Sequence, residues 1–556
     1  MGSLRNTFAE LVQARWQDHR PGLAFEDQVL SHHEVAAGAA ARAALLGDLL
    51  PRGAAPHVGL LLDNTPEFPQ WLGAAALAGA AVAGLNPTRR GAELARDITH
   101  TECRVLVTER ARLPLLDGLR LPGVRVLVTD TAAYGEVLAP YAGAAPQAAR
   151  GIGPGTRMLL YFTSGSTGAP KAAICTQGRL AHAGQSLVGH FGVRRDDVHY
   201  ICMPLFHGNA VIADWAPAMA AGAGTALARR FSASGFLDDV RRFGATYFTY
   251  VGRAVQYLLA TEERPDDRDN PLRVGFGTEA GAVDAARFEQ RFGVRLVEGY
   301  GSSEGGAAVS RTPDTPPGAI GRAAPGDDLA VLDPATREEC PPAEFDAGGR
   351  LVNGGRAIGE LVNRGRSPFE GYWRNEAADA ERVREHGWYW TGDLFYRDAD
   401  GFLYFAGRDD DKIRVDSENL APAMIENILA RWSRAAAVAV YGVPDPVAGD
   451  QVMATVALRD GAAFDPLAFA EFLLAQPDLG TKMAPRFVRL VTRMPVTATN
   501  KVRRGELRRE GFGGGTDPVW WRPEGESSYR PFGPADRDAL AAAFRTHGRH
   551  PLLNPT

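Results

Sequence analysis

Through its first 300 residues the chain repeats one pattern: a short apolar run, an Ala-rich or amphipathic stretch, then another apolar run. Residues 58–62, 105–108 and 124–128 read as strands, with a helix over 93–99. Further strands are expected at 159–162, 246–251, 273–276 and 296–297. Short apolar strands separated by helices require a layered, parallel α/β fold. Residues 71–82 form the longest apolar stretch. It is shorter than the ~20 residues a bilayer demands, and reads as one buried helix packing closely through Ala and Gly.

The pattern changes near residue 315. Short strands between turns (329–332, 360–362, 403–405) predict a small β subdomain. Beyond 411 the chain reads as α+β, with helices at 422–431 and 467–474 and strands at 436–441 and 451–458. The stretch 511–528 carries glycines and tryptophans but few helix formers, and is expected to be an irregular surface strap. The expected fold is a large α/β N-terminal domain (1–410), with parallel sheets, helices and the β subdomain. A smaller, mobile α+β C-terminal domain (411–510) and a strap-like extension (511–556) follow.

Composition excludes several classes. At 556 residues the chain exceeds one hydrophobic core. With 45% apolar and 23% charged residues it is not disordered. A net charge of −5 gives no sign of a polyanion-binding protein, and no nucleic-acid partner is expected. Cys103, Cys175, Cys202 and Cys340 are scattered without metal-ligand spacing, which fits a reducing cytoplasm rather than a disulfide or zinc scaffold. Residues 1–20 lack the layout of a signal peptide, and no transmembrane segment is expected. A homodimer is compatible with all of this.

The 61 basic residues include four lysines: Lys171, Lys412, Lys482 and Lys501. Lysine is a compact point charge that arginine does not replace, so its retention against such a bias needs a reason. Lys171 ends the run Tyr161-Phe-Thr-Ser-Gly-Ser-Thr-Gly-Ala-Pro-Lys171, directly after an expected strand. Glycines allow close backbone approach, and successive N–H groups with Ser and Thr hydroxyls cradle an anion. A solvated glycine-rich turn has the same composition; the lysine separates the two readings. Alanine after the lysine departs from the Walker pattern.

The whole run resembles the signature loop of the adenylate-forming superfamily, which contains acyl-CoA synthetases, luciferases and peptide-synthetase adenylation domains. Four further motifs follow in family order: Glu298-Gly-Tyr-Gly-Ser-Ser-Glu304, Trp390-Thr-Gly-Asp393, Gly407-Arg408-Asp409-Asp410-Asp411 with Glu418-Asn419, and Thr499-Asn500-Lys501-Val502-Arg503-Arg504. Lysines at both motif positions would arise about 0.3% of the time if basic positions were filled at random. By themselves, Asp393 could be a turn residue, Glu304 a helix-start acid and Lys501 a solvated loop lysine.

The resemblance implies two half-reactions. A carboxylate attacks the α-phosphate of ATP, giving an acyl-adenylate and pyrophosphate; coenzyme A then displaces AMP. It implies that Thr163, Ser164, Gly165, Ser166, Thr167, Gly168 and Lys171 hold the β- and γ-phosphates, and that Tyr300 and Gly301 lie at the adenine. Ser303 and Glu304 would reach the α-phosphate, with Glu304 on Mg²⁺. Asp393 and Arg408 would take the ribose, and Lys501 would neutralise charge between the acid and the α-phosphate. Asp411 falls at the family's hinge, with Ser417, Glu418 and Asn419 on the loop that meets coenzyme A. The acidic run Asp409–Asp411 and Ser417, where relatives carry glycine, depart from the family pattern and raise the alternative of an enzyme that only thioesterifies a supplied acyl-adenylate. A non-catalytic acyl- or nucleotide-binding protein is the other alternative.

Pro204-Leu-Phe-His207-Gly-Asn-Ala resembles the family segment bordering the acyl tunnel. His207, Trp215, Tyr250, Val251, Gly252, Phe276 and Gly277 are the expected lining, His207 as a gate rather than an acid or base. Small residues there imply a wide pocket, which rewards a bulky apolar acid. Residues 405–419 and the tail resemble the very-long-chain and steroid-acid branches. A fused-ring or terpenoid acid is the first expectation and a long fatty acid the second.

Overall fold

The computed structural model describes residues 5–51, 53–163, 171–280, 282–324, 326–347, 349–365, 368–408, 413–415, 418–447, 449–480, 482–497, 501–513, 517–523 and 525–553. The chain divides into two compact units. One comprises Met1–Glu279, Ala285–Gly306 and Pro368–Glu381; the other Ala280–Asp284, Ala307–Ser367 and Arg382–Thr556.

The first unit holds two sheets. One runs in the order Arg125–Val128, Val105–Thr108, His57–Leu61, Ala81–Gly84, Arg157–Thr163, Lys171–Thr176. Its first five strands are parallel, and the last pairs antiparallel with Arg157–Thr163. The other runs Leu296–Gly301, Val274–Thr278, Tyr247–Val251, Val198–Ile201, Gly224–Leu227, Pro21–Phe25, Gln28–Ser31, parallel except for the last pair. Central strands such as His57–Leu61 and Tyr247–Val251 are buried along their whole length, the reason their sequences do not alternate.

The apolar stretch at 71–82 is not one helix. Helix Glu67–Ala78 stops at Gly79, whose φ of +70° turns the chain into the strand Ala81–Gly84. A left-handed residue ends a helix whatever the hydrophobicity beyond it. Among the described residues no helix is long and apolar enough to cross a membrane.

A buried polar knot ties the second sheet to its helical cover. Asp214, in the π-helical turn Val211–Trp215, is fully buried. His199 Nδ1 lies 3.0 Å from one of its oxygens. The other accepts from the Thr249 amide at 3.2 Å and the Thr249 hydroxyl at 2.9 Å. Three donors compensate a carboxyl whose pKa burial pushes up.

In the second unit a four-stranded antiparallel sheet runs Leu329–Leu332, Gly359–Asn363, Tyr389–Arg397, Leu403–Arg408. A five-stranded sheet follows: Ala435–Pro444, Asp450–Leu458, Phe487–Val491, Val519–Trp521, Arg530–Pro531. Ile425, Trp432 and Phe469 belong to one of the two core clusters it carries; Tyr441, Phe487 and Phe512 belong to the other. The tail is therefore not an irregular strap. It supplies two strands, and helix Pro534–Thr546 brings Phe544 into the second cluster. Arg489 fastens it, pairing with Glu510 and Asp517 at 2.7 Å each. Aromatic side chains, not helix propensity, decide this segment.

Beside Trp215, Val12, Arg15, His32 and Met219 line a small cavity. Burial holds the His32 pKa down at about 4; Asp18 opposes the shift, and Arg15 and Arg20 reinforce it. The unfolded chain takes that proton near pH 6.5. Between pH 6.5 and 4 it therefore binds more protons than the folded chain, and stability falls as pH falls. The loss attributable to this group approaches ~3 kcal/mol at pH 4. Urea midpoints between pH 7 and 4 should drop less steeply for His32→Gln than for the parent chain.

Candidate active site

The strand Arg157–Thr163 leads into the Gly/Ser/Thr loop, and Lys171 opens the returning strand directly opposite Thr163. Ser164, Gly165, Ser166, Thr167 and Gly168 lie outside the described residues. Lys171 is buried, and its Nζ donates to Glu381 Oε2 at 2.8 Å. The same ammonium lies 6.0 Å from the centroid of the Tyr372 ring.

Glu381 and Tyr372 arrive on a segment to which the sequence motifs gave no role. Residues 371–373 lie along the outer edge of the Lys171–Thr176 strand: Ile174 N donates to Gly371 O at 3.0 Å, and Trp373 N to Ala172 O at 2.8 Å. This covers an open sheet edge. It also sets Glu370 against Thr176, accepting from its amide at 2.7 Å and from its hydroxyl at 2.5 Å. Tyr372 N donates to Asp379 Oδ1 at 2.7 Å, and its hydroxyl to Glu304 Oε1 at 3.0 Å. Glu370-Gly-Tyr-Trp373 does carry a glycine among aromatics, a mark of close backbone approach, but nothing in it names a chemistry.

Glu304 follows the strand Leu296–Gly301, which carries Tyr300 and Gly301. A tight turn holds it, with Gly305 N donating to Ser302 O at 3.0 Å. Arg179 braces this turn: its guanidinium donates to Ser303 O at 2.5 Å and Ile174 O at 2.8 Å, and sits 3.6 Å from Glu370. A side chain at Gly208 would meet Ser303 Oγ at 2.7 Å, so the Pro204–His207 segment and the Ser303–Glu304 turn are in contact. Lys171, Tyr372, Glu304, Ser303 and Gly208 thus form one continuous neighbourhood.

The segment carrying His207 is held from both sides. Asn64 accepts from Leu205 N at 2.9 Å and donates to Met203 O at 2.9 Å, and Tyr161 donates to Leu205 O at 2.9 Å. His207 caps the short turn after it, accepting from Asn209 N at 3.5 Å. The seven expected acyl residues lie on several elements of the first unit. Phe276 packs on Phe191, with ring centroids 4.9 Å apart. Tyr250, one strand over, turns toward Phe248 and donates to Val297 O. Its ring lies where a side chain on Gly277 would be, 2.7 Å from the added carbon. Strand alternation puts Tyr250 and Phe276 on opposite faces. Val251 and Gly252 are buried where the strand passes into helix Gly252–Leu259. Trp215 stacks on Phe8 at 4.7 Å, against the N-terminal helix Phe8–Gln13.

In the second unit Asp393 is a buried carboxylate on the strand Tyr389–Arg397, directly opposite Arg408. Asp393 N donates to Thr391 Oγ1 at 3.1 Å, and Thr391 in turn donates to Leu361 O at 2.8 Å. Gly392, at φ +74°, donates to Glu360 Oε1 at 2.6 Å, and Arg382 donates to Thr391 O at 2.6 Å. Glu360 and Arg382 stiffen this corner, and no motif named them. Lys501 is half-buried in a closed loop: Lys501 N donates to Thr497 Oγ1 at 3.1 Å, and Thr497 N to Lys501 O at 2.7 Å. Asp411 and Ser417 lie outside the described residues, as do the side chains of Arg408, Glu418 and Asn419. Among the described residues no group of three or more His, Cys, Asp or Glu could cage a metal.

Comparison with known proteins shows the family and the fold. The AMP-binding enzyme family matches residues 11–373, and its C-terminal domain matches residues 424–501. The chain is 50% identical to a steroid-22-oyl-CoA synthetase of Rhodococcus jostii (strain RHA1), over 99% of each chain. It is 46% identical to the medium/long-chain-fatty-acid–CoA ligase FadD17 of Mycobacterium marinum, over 90% of this chain and 95% of that one. The crystal structure of the anthranilate CoA ligase AuaEII with anthranoyl-AMP shares the fold. Its TM-score is 0.80 at 22% identity, over 91% of this chain and 97% of that one.

The Lys171–Glu381 pair is half-exposed on the Glu381 side, so it is worth at most ~1 kcal/mol. Glu381→Gln leaves the ammonium without that counter-charge. Calorimetric titration with ATP should show binding about two- to fivefold tighter; weaker binding would contradict a polyphosphate role for Lys171.

Proposed function

From a chain that belongs to the AMP-binding enzyme family, as an ATP-dependent, AMP-forming acid–CoA ligase, we infer an activity on a bulky, hydrophobic carboxylic acid. A steroid carrying its carboxylate on the side chain, as a steroid-22-oic acid does, is the first substrate and a medium- or long-chain fatty acid the second. The observation carrying this reading is half identity, end to end, with a protein named for a steroid-22-oyl thioester. The FadD17 relative supports the second substrate.

In the first half-reaction a carboxylate oxygen bonds to the α-phosphorus while the bond from that phosphorus to the β-phosphate bridge breaks. Pyrophosphate leaves with the electron pair. In the second, the coenzyme A sulfur bonds to the acyl carbon, its proton is lost, and AMP departs. Neither step needs a protein nucleophile; orientation and charge stabilisation suffice. We assign Lys171 and the 163–168 loop to the β- and γ-phosphates, and Tyr300 with Gly301 to the adenine. Asp393 with Arg408 takes the ribose, and Ser303 and Glu304 the α-phosphate. Lys501 offsets the charge that grows between acid and α-phosphate.

The donor set fits magnesium. Glu304 is a buried hard oxygen donor, the donor type this ion takes alongside waters and phosphate oxygens. When bound, the ion supplies positive charge to the phosphates. We place the domain boundary at Asp411, and assign a rotation there that exchanges Lys501 for the loop of Ser417, Glu418 and Asn419 between half-reactions.

The test is acid-dependent pyrophosphate exchange over a panel of steroid, terpenoid and fatty acids, followed by thioester and AMP formation with coenzyme A. Steroid side-chain acids should give the highest kcat/KM. Lys501→Ala should cut exchange by about 10²-fold or more while sparing thioester formation from added acyl-adenylate. Equal loss of both halves would contradict the assignment.

A further inference from the structure

Glu304 is a carboxylate with only 7% of its surface exposed. Burial of an ionised acid requires partners with fixed geometry, because a carboxylate free to rotate presents its oxygens indifferently. Tyr372 donates to Oε1 at 3.0 Å and is itself 3% exposed. Its own placement is over-determined. The backbone amide is bound to Asp379, its neighbours Gly371 and Trp373 pair with the edge strand, and Phe369 packs edge-on at 5.3 Å. The face of the same ring lies 6.0 Å from Lys171 Nζ, at the outer limit of a cation–π contact. One aromatic side chain therefore bonds Glu304 and lies 6.0 Å from Lys171, the two charged groups flanking the expected phosphates.

We propose that Tyr372 is a positioning residue for nucleotide-bound magnesium: its hydroxyl occupies one oxygen of Glu304 and so dedicates the other to the cation. The proposal rests on the reading of Glu304 as the magnesium acid given above. A phenol is suited to the task. It is a neutral donor, so it fixes the carboxylate without cancelling its charge, as a lysine or arginine at the same place would. The competing account is that Tyr372 only packs, since Ala173, Ala378 and Phe369 surround its ring. Tyr372→Phe separates the two, because it keeps the ring and removes the donor.

The experiment is Mn²⁺ binding, followed by electron paramagnetic resonance, to the full chain saturated with a non-hydrolysable ATP analogue. Metal-free analogue binding and the thermal midpoint are measured alongside. Tyr372→Phe should weaken Mn²⁺ about ten- to a hundredfold, the range of one hydrogen bond to a charged group, with metal-free analogue affinity unchanged. In turnover, KM for magnesium should rise while kcat recovers at high magnesium. In a Glu304→Gln background, Tyr372→Phe should add nothing. Wild-type Mn²⁺ affinity in Tyr372→Phe, when Glu304→Gln has lost it, overturns the proposal. Additive losses in the double variant overturn it as well, since they place Tyr372 outside the path through Glu304. Wild-type Mn²⁺ affinity in Glu304→Gln instead overturns the reading of Glu304. Should Tyr372→Phe lower the thermal midpoint, Phe369→Leu supplies the packing control; an equal metal defect there assigns the effect to packing and overturns the proposal.

Discussion

The arrangement of the first unit depends on three residues laid against an exposed strand edge. The strand Lys171–Thr176 ends its sheet, and its outer amides and carbonyls would otherwise face water or another chain. Residues 371–373 take those hydrogen bonds after nearly 200 intervening residues. Main-chain pairing fixes register to a single residue. That is why Glu370, Tyr372 and Glu381 fall where they do, against Thr176, Glu304 and Lys171. A slip of one position would turn Tyr372 to the opposite face and leave Glu304 buried without its donor.

The same logic recurs wherever irregular backbone carries a candidate site residue. Asn64 and Tyr161 grip the carbonyls and amide of the 203–205 loop. Arg179 grips the Ser303 carbonyl, and Glu360 the Gly392 amide. Loops lack the internal hydrogen bonds of helices and strands, so their polar groups must be met by side chains from neighbouring elements. These anchors touch no expected substrate group. They convert flexible turns into fixed supports, the condition for electrostatic catalysis without reorganisation. Asp214 serves the sheet's helical cover in the same manner.

Legibility in the sequence followed range. Strands at 105–108 and 329–332 were read to the residue, because full burial writes itself as an unbroken apolar run. The expectation for the Gly/Ser/Thr run and Lys171 came from residue types in adjacent positions, which a single window of sequence displays. Failures arose where one backbone position or a partner distant in the chain overrode the local pattern. Gly79 split one apolar stretch into helix and strand. Aromatic packing drew the tail into a sheet.

The sequence by itself determined the fold class, the order of the motifs and the identity of the charged groups, since local periodicity and residue chemistry carry that information. Tertiary structure alone decided which groups meet. Lys171 faces Glu381 and Tyr372 reaches Glu304 across separations of 210 and 68 residues. No window along the chain encodes such a meeting, because it is fixed by the register of one sheet edge and the closure of the core behind it.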